Sequence, residues 1–388
     1  MTDVEVRKIE TGADAPQRYA RGWHCLGQAK EFSDGKPHTL HAFGQKLVIW
    51  ADTKGNINVL DAYCRHMGGD LSQGEVKGDE VACPFHDWRW SGEGKCTSIP
   101  YSRRVPLRAR TQTWPTMVKD GILFVWNDPE GNPPIPEQMI PDIPMADDPD
   151  WTDWYWYKFE IKGSNCREII DNVVDMAHFF YIHKSFPTYF KNVFEGHIAS
   201  QWMNGESRGD NDPHAVRAGV PVRSGNSSEA HYYGPSFMLN PMVSHYGDFD
   251  VNSMLINCHY PIDHNNFMLN YAIKVNKKDY PTPEMAEEMA EKMAIFIKIG
   301  FEQDVQIWNN KTPIENPLLC EEDGPVYQLR RWYQQFYTDV ADITPEMTDR
   351  FEFEIDTTRP NEAWRAEVEE NIKRILSETE DESEEQKA

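Results

Sequence analysis

The chain has 388 residues, 39% hydrophobic and 12% aromatic, which is the composition of a globular protein of two or three domains and not of a disordered one. Its formal net charge of −24 argues against a nucleic-acid partner, because phosphates are neutralised by clustered lysines and arginines. No apolar run approaches the roughly 18–20 residues that cross a bilayer, and the polar stretch 1–18 lacks the apolar core of a signal peptide. Seven scattered cysteines do not form a disulfide pattern, so we expect a cytoplasmic protein without a membrane span.

The first third of the chain predicts short strands joined by turns. Two apolar runs, 47–50 and 57–60, flank the turn-forming residues 52–56, which is the pattern of a β-hairpin. A further apolar run at 121–126 is another strand candidate. We therefore expect a small antiparallel β domain at the start of the chain.

Two short motifs fall between these predicted strands, Cys64-x-His66 and Cys83-x-x-His86. Each supplies one cysteine and one histidine, so two thiolates can hold one iron and two imidazoles another. That is the ligand set of a Rieske [2Fe–2S] centre, a one-electron carrier. A structural zinc site usually pairs cysteines with cysteines and histidines with histidines, and an unusual zinc site remains the alternative.

A proline-rich and acidic stretch, 132–150, indicates a linker, so we place the first domain together with this linker at 1–150. The second domain, 151–376, combines strand patterns with helix patterns and is predicted to be α+β. The last residues, 377–388, contain six carboxylates and are predicted to be a disordered acidic tail.

Within the second domain, several segments have a recognisable pattern. Residues 154–161 alternate as a strand does, and 164–183 predict a helix with Ser164 as a possible N-cap. Strands and loops are predicted between 216 and 275. Helix-start signals of the form Thr-Pro-Glu occur at 282–284 and 344–346, and Trp364, Val368 and Ile372 suggest a last amphipathic helix.

A second metal site is predicted around Asp175, His178 and His183, which lie among aromatic residues. Two histidines and one carboxylate on one face of an iron are the usual arrangement of non-haem Fe(II) oxygenases. The two histidines are five residues apart, about 140° on an ideal helix, so both reach one metal only if the helix is bulged or ends near Phe180.

The carboxylate of this site has two candidates, Asp175 and Asp304. Asp304 shares a predicted helix face with Phe301 and Trp308, which indicates that it points inward. A buried acid is costly unless it is paired or bound to a metal.

These residues resemble the Rieske non-haem iron oxygenases over nearly the whole chain. The segment Asp175-x2-His178-x4-His183 matches that family's bridging aspartate and two iron-binding histidines. By the same pattern Asp304 is the third iron ligand, and Asp175 joins His178 to the cluster ligand His86 of a neighbouring subunit. The resemblance also implies a homotrimer, and a catalytic domain whose antiparallel sheet is covered by helices, as in helix-grip folds.

A closer resemblance, to the oxygenase components of bacterial 3-ketosteroid 9α-hydroxylases, lies in the stretches 165–172, 187–197, 234–238 and 327–333. It implies a monooxygenase that uses O₂ to hydroxylate C9 of 4-ene or 1,4-diene 3-ketosteroids in sterol breakdown. It also implies an NADH-dependent reductase partner with flavin and a plant-type [2Fe–2S] cluster.

The same resemblance assigns eight residues to an apolar slot for the flat substrate. They are Val173, Gln201, Tyr232, Met238, Asn240, Asn257, Phe301 and Trp308. The pattern of the residues themselves supports only the stripe with Phe301 and Trp308.

Three other functions are compatible with parts of the pattern. A Rieske hydroxylase or demethylase of another hydrophobic substrate has the same irons. A Rieske electron carrier lacks the mononuclear iron, so it binds two irons per chain instead of three. A zinc-stabilised binding module is colourless and contains no sulfide.

Overall fold

The computed structural model describes residues 8, 10, 18–143, 145–219 and 224–385, with side chains to residue 378. Most of the N-terminal stretch 1–18, Pro144 of the predicted linker and the end of the predicted acidic tail lie outside these residues. Among the described residues, no helix is both long enough and apolar enough to span a membrane.

The N-terminal part is built from ten short strands in three antiparallel sheets, with orders β1-β10-β9, β2-β3-β4 and β5-β6-β7-β8. The strands are β1 (Gly22–Gln28), β2 (His38–Ala42), β3 (Gln45–Ala51), β4 (Ile57–Asp61), β5 (Glu75–Lys77), β6 (Glu80–Ala82), β7 (Arg89–Trp90), β8 (Cys96–Ser98), β9 (Thr116–Lys119) and β10 (Ile122–Asn127). The predicted hairpin is confirmed as β3 and β4, and the run at 121–126 as β10.

The second part is one eight-stranded antiparallel sheet with helices, in the order β11-β17-β16-β15-β14-β13-β12-β18. Its strands are β11 (Tyr155–Lys162), β12 (Ser185–Glu195), β13 (Ile198–Ser207), β14 (Gly225–Tyr233), β15 (Phe237–Tyr246), β16 (Phe249–Pro261), β17 (Asn266–Val275) and β18 (Phe351–Glu354). The helices are α1 (Ala177–Tyr181), α2 (Pro213–Arg217), α3 (Pro283–Trp308), α4 (Val326–Gln334), α5 (Pro345–Thr348) and α6 (Thr358–Glu385). The predicted α+β class is confirmed.

Both faces of the large sheet are buried. Because side chains alternate along a strand, Met238 of β15 faces the helices and packs in one cluster with Trp308 of α3 and Leu329 of α4. Its neighbour Phe237 faces the opposite way and packs with Trp23 and Phe124 of the N-terminal sheets. The sheet therefore separates the helical layer from the N-terminal part.

The helix predicted at 164–183 is broken in the structure. A 3₁₀ segment, Cys166–Val173, comes first, capped by the Asn165 side chain and not by Ser164, and α1 follows after a gap. The buried amides of Asn192 and Gln201 both donate to the Val173 carbonyl oxygen, at 2.8 Å. These bonds occupy an acceptor that a continuous helix would use for its own backbone, and this explains the break.

The prediction of a disordered tail at 377–388 also differs from the structure over residues 377–385, where α6 continues to Glu385; residues 386–388 lie outside the described part of the chain. Glutamate is a good helix former, so an acidic run that follows an established helix can extend it. Trp364 and Val368 of α6 are buried, as the predicted amphipathic pattern requires.

Candidate functional site

The four residues of the Cys–His motifs come together at two neighbouring loops of the N-terminal part. Cys64 and Cys83 are buried, and the ring centroids of His66 and His86 are 4.7 Å apart. Each loop closes with the same kind of turn, in which the Cys64 carbonyl accepts from the Gly68 amide and the Cys83 carbonyl accepts from the Asp87 amide, both at 2.9 Å. Each of the two loops thus presents one cysteine and one histidine.

Three features of these loops fit a [2Fe–2S] cluster. The Nδ1 atom of His86 is buried without a hydrogen-bond partner, so it is free to bind a metal. A side chain at Gly69 would place its Cβ 2.7 Å from the Cys83 Sγ, so glycine keeps the space beside this sulfur open. Burial raises the pKa of the Cys64 thiol to about 11, and metal binding supplies the charge that converts such a thiol to a thiolate ligand.

One side of the cluster loops is aromatic. The Trp88 ring stacks on His66 with centroids 4.4 Å apart, and its Nε1 donates to the Tyr101 hydroxyl at 2.7 Å. Tyr101 is 64% exposed. A continuous path of rings therefore leads from a cluster histidine to the surface, and the sequence motifs did not indicate it.

The second predicted site is also assembled in the structure. The ligand atoms of His178, His183 and Asp304 all lie within 4.8 Å of one another, close enough to hold one metal ion. The His183 Nε2 lies 3.4 Å from the Asp304 Oδ1. Asp304 is only 7% exposed although it carries a carboxylate.

The end of α1 brings the two histidines together. This helix stops at Tyr181, and the His178 carbonyl accepts from both the Ile182 amide and the His183 amide, at 2.7 and 3.3 Å. The second of these is a five-residue turn of the π type, so the distortion expected near Phe180 is present. It turns His183 back toward His178, and the ring centroids are 5.1 Å apart.

The orientation of His178 is fixed by its own backbone. Its Nδ1–H donates to the Asp175 carbonyl oxygen at 2.5 Å, which leaves Nε2 as the ligand atom. Burial lowers the pKa of His178 despite the opposing charge of Asp175, so the ring is held in the neutral form that binds metals.

Asp175 stands partly exposed beside this site. Its carboxylate accepts from the His178 amide at 3.2 Å, and its side chain is 48% exposed. Within the described part of one chain, no hydrogen bond or ion pair joins Asp175 to His86.

The eight residues predicted to line a slot are placed on or around the helix-facing side of the large sheet. In the antiparallel register Met238 lies opposite both Tyr232 and Asn257, so these three share one face, and Asn240 follows on the same face. Val173, Phe301 and Trp308 pack against the hydrophobic cluster on that face. Gln201 is different, because its amide nitrogen is already bonded to the Val173 carbonyl.

Asn192 is a residue that the sequence analysis missed. It is fully buried opposite Gln201 in the register of β12 and β13. Its Oδ1, like those of Asn240 and Asn257, has no hydrogen-bond partner. The one local signal was an amide between Phe190 and Phe194 on the inward face of a strand.

Comparison with known families and proteins gives consistent matches. The Rieske [2Fe-2S] domain family matches residues 22–115, and the 3-Ketosteroid 9alpha-hydroxylase C-terminal domain family matches residues 125–337. A 3-ketosteroid-9-alpha-monooxygenase oxygenase component of Rhodococcus rhodochrous is 62% identical over 95% of this chain and 93% of its own length. Counterparts of the same name from Mycolicibacterium smegmatis and Mycobacterium tuberculosis are 60% and 58% identical, each over 95% of this chain and 96% and 95% of their own lengths.

Solved structures show the same fold at low identity. Apo dicamba monooxygenase aligns with a TM-score of 0.62 at 16% identity, covering 82% of this chain and 97% of its own. NdmB of Pseudomonas putida CBB5 aligns with a TM-score of 0.65 at 17% identity, covering 88% and 99%.

Proposed function

This chain belongs to the 3-ketosteroid 9α-hydroxylase family of Rieske oxygenases, and from that membership we propose that it is the oxygenase component of a two-component 3-ketosteroid 9α-monooxygenase. It is a Rieske monooxygenase with a [2Fe–2S] cluster and a mononuclear iron, and it works with a reductase. Identities of 58–62% across nearly the full length carry the proposal and favour a ketosteroid over another hydrophobic substrate. The free thiols of all seven cysteines suit a cytoplasmic location.

The reaction that we propose converts a C9–H bond of a 4-ene or 1,4-diene 3-ketosteroid into C9–OH. One O₂, one NADH and one proton are consumed for each steroid hydroxylated, and one water and one NAD⁺ are released, so the two electrons from NADH balance the second oxygen atom. When bound, the cluster supplies electrons singly and the mononuclear iron supplies O₂ activation. The residues of the chain supply the ligands, the orientation and the exclusion of water.

The geometry of the two sites supports the ligand roles that we propose. Cys64, Cys83, His66 and His86 would hold the cluster, while His178, His183 and Asp304 would hold the mononuclear iron. A neutral His178 with its ring fixed through Nδ1 presents Nε2 without a further conformational change. The buried carboxylate of Asp304 would lower the net charge of the bound iron, and two neutral imidazoles would complete the ligand set.

We place Asp175 between the two metal sites of neighbouring subunits. Its exposed carboxylate, next to the His178 backbone, is free to accept a hydrogen bond from the ring of a cluster ligand, His86, on another copy. This arrangement needs a closed ring of subunits, and a homotrimer satisfies it. Exposed Met67 and Phe85 beside the cluster loops give that contact an apolar surface.

The buried sheet face is the proposed steroid slot. It is lined by Tyr232, Met238 and Trp308, whose apolar surfaces suit a rigid ring system. Asn240 and Asn257 have buried amide oxygens without partners, and a primary amide that rotates by 180° offers an N–H to a steroid ketone. These two residues would set the orientation of the bound substrate.

The test is incubation of the iron-loaded protein with 4-androstene-3,17-dione, NADH and an NADH-dependent flavin and [2Fe–2S] reductase. We expect the 9α-hydroxylated steroid, with one NADH consumed per product. A protein lacking Asp304, prepared as D304A, is the inactive control. NADH consumption that produces peroxide and no hydroxysteroid, with a series of ketosteroids, would contradict the proposal.

A further inference from the structure

A loop rich in arginine lies next to the cluster-binding residues in this strongly acidic chain. From residue 94 to residue 119 there are six basic residues and no acidic residue, although the whole chain carries −24. Within it we define the arginine loop as residues 100–110, which contains Arg103, Arg104, Arg108 and Arg110. All four are exposed, and within the described part of the chain none of their guanidinium groups forms an ion pair or a hydrogen bond.

The loop is held firmly against the cluster-binding sheets. Ala109, in its last turn, is buried in the same hydrophobic cluster as Cys64 and Cys83. Its carbonyl accepts from the Cys96 amide at 3.0 Å, and Arg110 forms an isolated antiparallel bridge with Lys95. The four guanidinium groups are therefore carried on a backbone with a fixed position relative to the cluster loops.

The arginine loop also contains the surface end of the aromatic path. Tyr101 accepts the hydrogen bond from Trp88, and Trp88 stacks on His66. Leu107 in the middle of the loop is 98% exposed. Exposed tyrosine and arginine side chains are typical of a protein–protein interface, where arginine and aromatic residues are enriched, and the exposed leucine adds apolar surface.

A one-electron carrier needs an entrance as well as an exit for its electron. In the proposed circuit the exit is His86, on the side that faces a neighbouring subunit. His66, Trp88 and Tyr101 form a separate path from the cluster to the surface, and it emerges within the arginine loop. A donor docked on this loop would contact the end of that path directly.

We propose that the arginine loop is the docking surface for the electron-donating reductase, and that it recognises an acidic surface around the donor's own redox centre. The proposal rests on the proposed function, which requires such a donor. Each docking event transfers one electron, so the donor centre is oxidised by one electron and the cluster on Cys64, His66, Cys83 and His86 is reduced by one. Two events supply one hydroxylation.

The experiment uses the iron-loaded full-length protein with the charges at positions 103 and 104 reversed, in the variant R103E/R104E. Reductase with NADH reduces the cluster, and the rate is followed in the visible spectrum as the reductase concentration is varied. We expect the KM for the reductase to rise about tenfold or more at low salt, because steering by complementary charge is lost, and to approach the unsubstituted value at about 0.5 M salt. Binding of the reductase to the immobilised protein should weaken in parallel.

Three controls separate docking from other effects. K373E/R374E makes the same charge change on two adjacent exposed residues of α6 and should leave the KM unchanged. R103K/R104K keeps the charge and should retain most of the affinity. Reduction by dithionite, which needs no docking, should proceed at the same rate in every variant and shows that the cluster is intact.

Other outcomes overturn the proposal. An unchanged KM and salt dependence in R103E/R104E would show that the donor docks elsewhere. A failure of the reductase to reduce the unsubstituted protein would show that this reductase is not the donor, and the docking proposal would fall with it. A change in oligomeric state, measured by light scattering, would instead make the loop an interface between copies of this chain. If reduction of the cluster by the reductase depends on the arginines but no steroid is hydroxylated, only the proposed function would be disproved.

Discussion

At the scale of single residues, Asp304 shows why an isolated carboxylate in a protein interior is informative. It lies on the buried side of α3, is 7% exposed, and has one histidine, His183, within ion-pair distance. An unpaired buried carboxylate costs several kcal/mol, and a bound cation removes that cost. Asp304 is therefore expected to stabilise the protein mainly when iron is bound.

Replacement of Asp304 by alanine is expected to remove the mononuclear iron and leave the cluster in place. The iron content measured by metal analysis should fall by one iron per chain. The rate of hydroxylation should drop by about 100-fold or more, and the visible spectrum of the cluster should not change. The matched control is E302Q, which alters an exposed acid on the same helix. Iron retained at full occupancy in D304A would remove Asp304 from the ligand set.

Asp175 differs from Asp304 because its carboxylate is half exposed and its backbone carbonyl does the work of fixing His178. In D175N the backbone is unchanged, so both metal sites should remain loaded. Transfer of an electron from the reduced cluster to the mononuclear site should slow by about 100-fold or more, because the charged link between two imidazoles is lost. Single-turnover kinetics measure this rate, and a normal rate would contradict the bridging role.

At the scale of elements, the metal ligands lie in tight turns, both in the cluster loops and at the end of α1. The loops use paired turns around Cys64 and Cys83, and α1 ends in a π-type turn at His183. Arg208 secures that end, since its Nη1 donates to the Phe180 carbonyl and its guanidinium lies 4.1 Å from the centroid of the Phe180 ring. The sites are thus built at ends of elements that the surrounding core holds rigid.

Gly69 offers a test of the cluster loops. In G69A the new methyl group would meet the Cys83 Sγ at 2.7 Å, so the sulfur has to move or the loop has to shift. We expect weaker cluster absorbance per chain and a loss of about 1–3 kcal/mol in stability. G209A serves as the control, because its Cβ would meet only Ile372 at an ordinary 3.6 Å. Normal iron and sulfide content in G69A would show that the loop tolerates the displacement.

At the scale of the whole molecule, the N-terminal sheets and the large sheet bury a pair of histidines near their junction. His24 lies on β1 and His259 on β16, and both are about 1% exposed. Burial lowers the pKa of His24 to about 4 and that of His259 to about 3, and the His24 ring further disfavours a charge on His259. Both histidines are therefore neutral in the folded protein at neutral pH.

This pair predicts a loss of stability in mild acid. Below about pH 6.5 the unfolded chain binds protons on these histidines and the folded protein does not, so the free energy of unfolding falls as the pH decreases toward 4. Each histidine contributes up to about 1.4 kcal/mol per pH unit in that window. Urea unfolding of H259Q between pH 7.5 and 5 should show a weaker pH dependence than the unsubstituted protein. H41Q, at an exposed position of β2, should keep the full dependence.

Several structural features of this protein could be predicted from local sequence patterns. The Cys–His motifs fixed the cluster type because the ligand chemistry depends on residue type and short spacing, and Thr282 fixed the start of α3 because an N-cap acts within one turn. The hairpin of β3 and β4 followed in the same way from its turn residues. The break in the helix before α1 could not be predicted from local sequence. It is caused by the side-chain amides of Asn192 and Gln201, which lie on strands further along the chain.

The sequence by itself determined which chemical groups this protein has, and the tertiary structure decided which of them meet. Residue patterns left Asp175 and Asp304 both open as the third ligand, and the fold puts Asp304 of α3 next to His183, which follows α1. The same holds for the path from His66 through Trp88 to Tyr101, because it depends on contacts across separate loops. Local patterns are set by interactions within a few residues, whereas a site is set by how the core brings distant segments together.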